Sequence, residues 1–299
     1  MNSNLTRRQA LGGLLAVGVL ASVPRTALAT PSPSTGTLDL KAIEDRHRAR
    51  IGAYAVDLGT AATVDHRADV RFAMCSTFKA YATGRVLQLV DQGRLDLRAP
   101  IPVNVADIVA NSPVTEQRVG ATMALAEVCE AALTRSDNAA GNLLLRTIGG
   151  PGEVTAFARS IGDDQTRLDR WETELNNAIP GDIRDTTTPR GLRWGYQQLL
   201  TGTALSPSAR ATLDTWMRAT VTSGPRFRAA VPAGWTTADK TGAGDYGSTN
   251  DAGLLLGPTG QRVMAVVLTR SIDDQKDMPA LNAAIVDTAR LILDSFGHR

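Results

Sequence analysis

Strand-like patterning sits at the two ends of this chain and is nearly missing from its middle. "RIGAYAVDLG" (50–59) and "AATVDHRADV" (61–70) read as two short strands around the turn residues Gly59 and Thr60. Such patterns return only at "GWTTADKTG" (234–242), "NDAGLLLGP" (250–258) and "RVMAVVLTR" (262–270). Between them the apolar spacing is helical, at 76–92, past 120, at 139–147 and 153–161, and around 190–202 and 206–219. Helical patterns also stand at 39–49 and 279–296. Strands from both ends can share a sheet only if the ends meet and the middle forms an inserted helical body. The expected fold is therefore α+β with two lobes. Residues 30–70 and 219–299 give an antiparallel sheet flanked by helices, and 71–218 give a helical lobe that includes a loop at 170–185.

The 299 residues are 43% hydrophobic and 21% charged, with 32 basic against 30 acidic side chains and a net charge of +2. That balance leaves no electrostatic footprint for nucleic acid, and 4% aromatics offer few stacking platforms. The start of the chain differs in kind. Arg7 and Arg8 precede an apolar run from Ala10 to Val23, and Ala27-Leu28-Ala29 follows. This is the pattern of a twin-arginine export signal cleaved near Ala29, and the run is short for a span of ~20 residues. We expect a protein working outside the cytoplasm, free of the membrane once the signal is removed. Cys75 and Cys129 are read as free buried thiols. His47, His66 and His298 are scattered without ligand spacing, so neither a metal site nor a serine–histidine triad is expected.

Four short motifs carry the chemistry. In "RFAMCSTFK" (71–79), Ser76 and Lys79 stand three residues apart at a helix start, on one face and within mutual reach. A serine hydroxyl needs such a neighbour to become a nucleophile. By itself the tetrapeptide serves as readily to cap a helix. Ser136-Asp137-Asn138 also suits a helix cap, and Lys240-Thr241-Gly242 suits a strand ending in a kink. The fourth motif, Glu172 and Asn176, lies in "RWETELNNAIPGDIRDTTTP" (170–189), which reads as a long loop. Loops of that length in a compact body are usually functional.

Taken in order, Ser-x-x-Lys, Ser-Asp-Asn, Glu-x-x-x-Asn and Lys-Thr-Gly are far more specific than any one of them. With "SPVTE" (112–116), "AIPGDIRDTTTP" (178–189) and "PAGWTTADKTGAG" (232–244), the sequence resembles a class A serine β-lactamase from about 40 to 296. The resemblance implies the β-lactamase/transpeptidase-like fold and cofactor-free hydrolysis of penicillins or cephalosporins, which confers antibiotic resistance. It implies Ser76 as nucleophile, with the backbone N–H groups of Ser76 and Ala243 binding the oxyanion. Lys79 would act as cation or base beside Ser76, and Ser136 with Lys240 would carry a proton to the leaving nitrogen. Glu172 with Asn176 would activate the deacylating water. Whether Lys79 or Glu172 takes the first proton stays open. Asn138, Thr241 and Gly242 would contact substrate, and an Arg170–Asp185 pair would close the neck of the loop. The partner implied is a small β-lactam bound by a monomer.

Departures from the family pattern are specific. Asn111 stands where an aromatic residue often precedes "SPVTE". Ser248-Thr249-Asn250 carries no cation where many members have an arginine, which leaves Arg226 in "SGPRFR" to meet the substrate carboxylate. Its loss is expected to affect folding little. Thr83 and Gly244 occupy the positions that would pair with Cys129 and Cys75 in some members. A DD-peptidase or glutaminase would lack the Glu172–Asn176 pair, and a β-lactam sensor would need a membrane segment to pass its signal on.

Overall fold

The computed structural model describes residues 35–299, so the arginine pair and the site near Ala29 lie outside the described residues. In chain order the elements begin with β1 (Thr35–Thr37), α1 (Lys41–His47), β2 (Ala49–Asp57) and β3 (Thr63–His66). The middle carries β4 (Phe72–Ala73), α2 (Phe78–Asp91), β5 (Pro100–Pro102), β6 (Thr122–Ala124), α3 (Leu125–Thr134) and α4 (Asn138–Ile148). It continues with α5 (Pro151–Ser160), β7 (Thr186–Thr187), α6 (Pro189–Leu200), α7 (Pro207–Arg218) and the short α8 (Phe227–Ala230). The end supplies β8 (Thr236–Ala243), β9 (Thr249–Leu256), β10 (Arg262–Ser271) and α9 (Asn282–Ser295).

One six-stranded sheet has the order β1-β3-β2-β10-β9-β8, so the two chain ends meet at its centre. There β2 and β10 run antiparallel from Ala49 opposite Ser271 to Asp57 opposite Val263. Only β1, paired with β3, is parallel. The near-continuous apolar run of β10 follows from burial of both its faces. Val263, Ala265 and Val267 pack with Leu40, Ile285 and Ile292 beneath α9. Met264, Val266 and Leu268 pack against Phe72 of β4 and Leu192 and Tyr196 of α6. The helical body also contains two small two-stranded sheets, β4–β7 and β5–β6, too short for the sequence pattern to signal.

Two buried polar devices fix this frame. Asp137 caps α4 by accepting from Ala140 N at 2.8 Å, and it also receives Val114 N, Thr115 N and Thr115 Oγ1 at 2.8–3.0 Å. One carboxylate thus fastens the "SPVTE" segment to the helix start. The second device lies in the sheet. Thr241 of β8 faces Asp251 of β9, while Asp239 faces Gly253, so Asp239 and Asp251 are diagonal neighbours on one face. A Cβ at Gly253 would come within 2.8 Å of Asp239 Cβ, so only glycine leaves that approach open. Both aspartates are fully buried. Asp251 Oδ2 accepts from Phe227 N at 3.1 Å, yet Asp251 Oδ1 and both Asp239 oxygens have no donor among the described residues.

Burial, and then the neighbouring Asp239 carboxyl, push Asp251 well above the usual carboxylate range. A proton retained there supplies the donor these oxygens lack. The folded chain then binds a proton that the unfolded chain has released above about pH 4, so stability falls as pH rises towards the folded pKa. Asp251→Asn removes that linkage. Between pH 5 and pH 7 the melting temperature of the variant, relative to the parent, is expected to rise on the order of 5 °C. Thermal melts that give a pH-independent difference would exclude the retained proton.

Candidate active site

Ser76 is not on α2 itself but in the 3₁₀ turn Cys75–Thr77 that leads into it. Cys75, just before it, has a left-handed backbone (φ 46°), a conformation non-glycine residues adopt only where their surroundings enforce it. Ser136 is held in the same region (φ 57°), which brings its carbonyl to Lys79 and leaves its hydroxyl beside Lys240. Four segments distant in sequence therefore converge: the α2 entrance, the α3–α4 turn, the 170–185 loop and the end of β8.

At the centre is the Lys79 ammonium, fully buried. It donates to Ser76 Oγ at 2.9 Å, Ser136 O at 2.9 Å and Asn138 Oδ1 at 2.7 Å. Glu172 Oε1 lies 2.9 Å from the same nitrogen and 3.3 Å from Ser76 Oγ. Gly141, one turn along α4, makes room for this lysine: a Cβ there would stand 2.8 Å from Lys79 Cε. Across the site Lys240 Nζ contacts Ser136 Oγ at 3.0 Å and Thr241 O at 2.8 Å. Burial, and then the positive charges of Lys79 and Arg226, hold Lys240 well below the usual lysine range. Its proton is thus easier to release to Ser136 than that of a solvated lysine. Cys75 is a poor nucleophile, because burial and the nearby Glu172 carboxylate push its thiol far above the ordinary range.

Glu172 is positioned through its own backbone. Asn142 accepts from Glu172 N and donates to Glu172 O, both at 2.9 Å, while Asn176 Nδ2 reaches Glu172 Oε2 at 2.5 Å. The sequence reading missed Asn142 and Gly141; the available signal was their place on the same α4 turn as Asn138. The loop carries a 3₁₀ turn, Glu174–Asn177, and ends in β7. At its neck Arg170 Nε meets Asp185 Oδ2 at 2.5 Å, and Asp185 Oδ1 accepts from Asp169 N and Arg170 N. Ala243, at the last position of β8, is exposed beside this cleft. Thr241 Oγ1 bonds Thr222 Oγ1 at 2.6 Å.

Arg226 is not the exposed turn residue that "SGPRFR" suggests. It is only 8% exposed. Its Nη1 donates to Gly242 O and Asn250 O at 2.8 Å each, and its Nε to Asn282 Oδ1 at 2.8 Å. Removing it would empty a buried position and take one donor each from two carbonyls paired across β8 and β9, so the expectation of little effect on folding is corrected. The guanidinium nevertheless lies against the Lys240-Thr241-Gly242 strand. Asn111 donates to Ser136 O at 3.4 Å, at the edge of the same cleft. Cys75 and Cys129 are free and buried. The histidines lie elsewhere, His47 on Asp287 at 2.8 Å, His66 on Leu38 O at 3.1 Å and His298 on Asp57 at 2.7 Å.

A buried serine–lysine–carboxylate cluster beside a second lysine–serine pair suits acyl transfer. Comparison with known proteins agrees. A model of the "Beta-lactamase enzyme family" matches residues 37–296. A β-lactamase of Streptomyces lavendulae is 43% identical over 298 residues, covering 97% of each chain. A β-lactamase structure from Desulfarculus baarsii superposes with a TM-score of 0.84 at 42% identity, covering 87% of this chain and 96% of that one. An ancestral class A β-lactamase gives 0.82 at 45% identity, covering 86% and 98%. With family match, relatives and fold in agreement along nearly the whole described chain, this protein belongs to the class A serine β-lactamases.

Proposed function

We propose that this enzyme opens the β-lactam ring through an ester on Ser76 and removes that ester with a water activated by Glu172. The observation that carries the reading is the Glu172 carboxylate, within 3.3 Å of Ser76 Oγ and 2.9 Å of Lys79 Nζ. In acylation Ser76 Oγ attacks the lactam carbonyl, and its proton passes either to Glu172 directly or to Lys79 after the Lys79 ammonium has handed a proton to Glu172, both groups being in reach. The carbonyl oxygen gains negative charge, received by the N–H groups of Ser76 and Ala243, each worth ~10²–10³ in rate. The C–N bond then breaks, and Ser136, beside the readily released proton of Lys240, protonates the nitrogen. In deacylation Glu172 takes a proton from water as it attacks the ester; the acyl carbon–Oγ bond breaks, the proton returns to Ser76 Oγ, and the ring-opened acid leaves. Asn176 Oδ1, buried without a partner among the described residues, is an acceptor suited to orienting that water. Asn138, Thr241, Gly242 and Arg226 would hold the substrate, and the Arg170–Asp185 pair would keep the loop closed.

The remaining readings belong with this one. We take 71–218 as the helical lobe, with 30–70 and 219–299 as the α/β lobe, and place the working enzyme outside the cytoplasm after cleavage near Ala29, as a monomer. Among the described residues no helix is long and apolar enough to cross a membrane.

Mass spectrometry after mixing with penicillin tests the two steps separately. Ser76→Ala is expected to take up no covalent adduct. Glu172→Ala is expected to accumulate a penicilloyl adduct on Ser76 and to turn over at least ~100-fold more slowly, the lower range for loss of a general base. An adduct on the first variant, or parental turnover by the second, would overturn the assignment.

Arg226→Ala is expected to lower kcat/KM ~10–100-fold for carboxylate-bearing substrates, the range of a charge-assisted bond of ~1.5–3 kcal/mol. A substrate esterified at that carboxylate should lose far less. The melting temperature should also fall, because a buried side chain is lost and Gly242 O and Asn250 O each lose one of their donors. Equal losses on both substrates would mean that the arginine acts only through the fold.

A further inference from the structure

Behind the 170–185 loop, away from the catalytic cluster, lies a cavity of about 290 Å³ whose lining includes four arginines, Arg50, Arg71, Arg184 and Arg270, and one acid, Asp182. Its floor is the sheet: Arg50 of β2 stands directly opposite Arg270 of β10. Like charges placed directly across two strands repel and cost stability. Arg270 is partly compensated by Asp274. Asp182 is engaged by Arg184 at 2.7 Å and by Arg170 at 3.8 Å. Arg71 uses uncharged acceptors, Gln165 O at 2.8 Å and Thr186 Oγ1 at 3.2 Å. Arg50 has no carboxylate partner among the described residues, and its Nε is buried without any acceptor. The opposite wall is the loop segment Ala178–Arg184.

We propose that this cavity is a binding site for a small multivalent oxyanion of the phosphate type. Such a group has the charge to relieve the Arg50–Arg270 repulsion and several acceptor oxygens for the forked donors of two or more arginines. The volume holds a tetrahedral oxyanion together with water. A bound oxyanion bridges the sheet and the loop segment between Asn176 and the Asp185 neck, and so fastens from behind the loop that carries Glu172. The site does not depend on the catalytic roles proposed above, since none of its four arginines touches the catalytic cluster.

The test is a titration of the purified enzyme with inorganic phosphate at constant ionic strength, balanced with sodium chloride, followed by thermal melting. At about ten times the dissociation constant the parent should gain about 3 °C, the linkage expected for one site in a chain of this size. Arg50→Gln should lose most of that gain while turning over substrate at the parental rate. Phosphate could also enter the catalytic cleft, where it would inhibit competitively and stabilise parent and Arg50→Gln alike. Equal gains in the two proteins therefore overturn the proposal, as does a gain that chloride reproduces. Should Arg50→Gln fail to fold, tryptic cleavage of the parent after Arg184 gives the same answer. Cleavage several-fold slower in phosphate than in chloride supports the site, and equal rates exclude it.

Discussion

The buried ammonium of Lys79 is the constraint around which the rest is arranged. A lone charge in so enclosed a place would be too costly to keep, and it is tolerated because every direction from it holds an acceptor. The four acceptors come from three parts of the chain: the Ser76 hydroxyl from the turn before α2, the Ser136 carbonyl and Asn138 side chain from the head of α4, and Glu172 from the loop. Satisfying one lysine thus assembles the site. A buried ion pair of this kind adds little net stability against an apolar replacement; its effect is to select one arrangement.

That arrangement needs the loop to behave as part of the core. Asn142 grips Glu172 by its backbone on both sides, and Asp245 N donates to Asn176 O at 2.9 Å, which ties the loop to the chain just beyond β8. Met74 N, two residues before Ser76, donates to Asp185 O at 2.9 Å. The loop is therefore joined to the Ser76 turn, to α4 and to the chain after β8. Few of those ties are ionic. Most are amide–carbonyl bonds with strict direction, so the carboxylate is steered as well as anchored.

Much of this was legible in the residues. The strand patterns at the two ends and the helical spacing between them pointed to the shared sheet and the inserted helical body, because burial leaves a periodic mark on the sequence. Ser76, Lys79, Ser136, Glu172 and Lys240 were legible because their side chains recur in fixed short motifs. Other features leave no such mark. Asn142 and Gly141 act through a backbone clamp and a small void, and only their place on the same α4 turn as Asn138 hints at them. The Asp239–Asp251 contact exists only through the register of two strands. Arg226 sits among Gly, Pro and Ser, a composition that suggests exposure, and burial came from packing against β8, β9 and Asn282. The parallel pairing of β1 and the two small sheets involve strands of two or three residues, below the length at which alternation can be seen.

The pairing of β2 with β10 has a bearing on time as well as on shape. The first long strand leaves the ribosome early but finds its central neighbour only when the last strand has emerged. At ~5–20 residues per second, synthesis of such a chain takes roughly 15–60 s, and for most of that interval β2 has no mate on one side. Lys240 arrives on the same late stretch, so Ser76 and its lysine wait for it. Non-local pairing of this kind also slows folding after release, since the ends must find each other before the sheet rewards them. The enzyme therefore cannot be catalytically competent by instalments, and hydrolytic power arrives only with a finished chain.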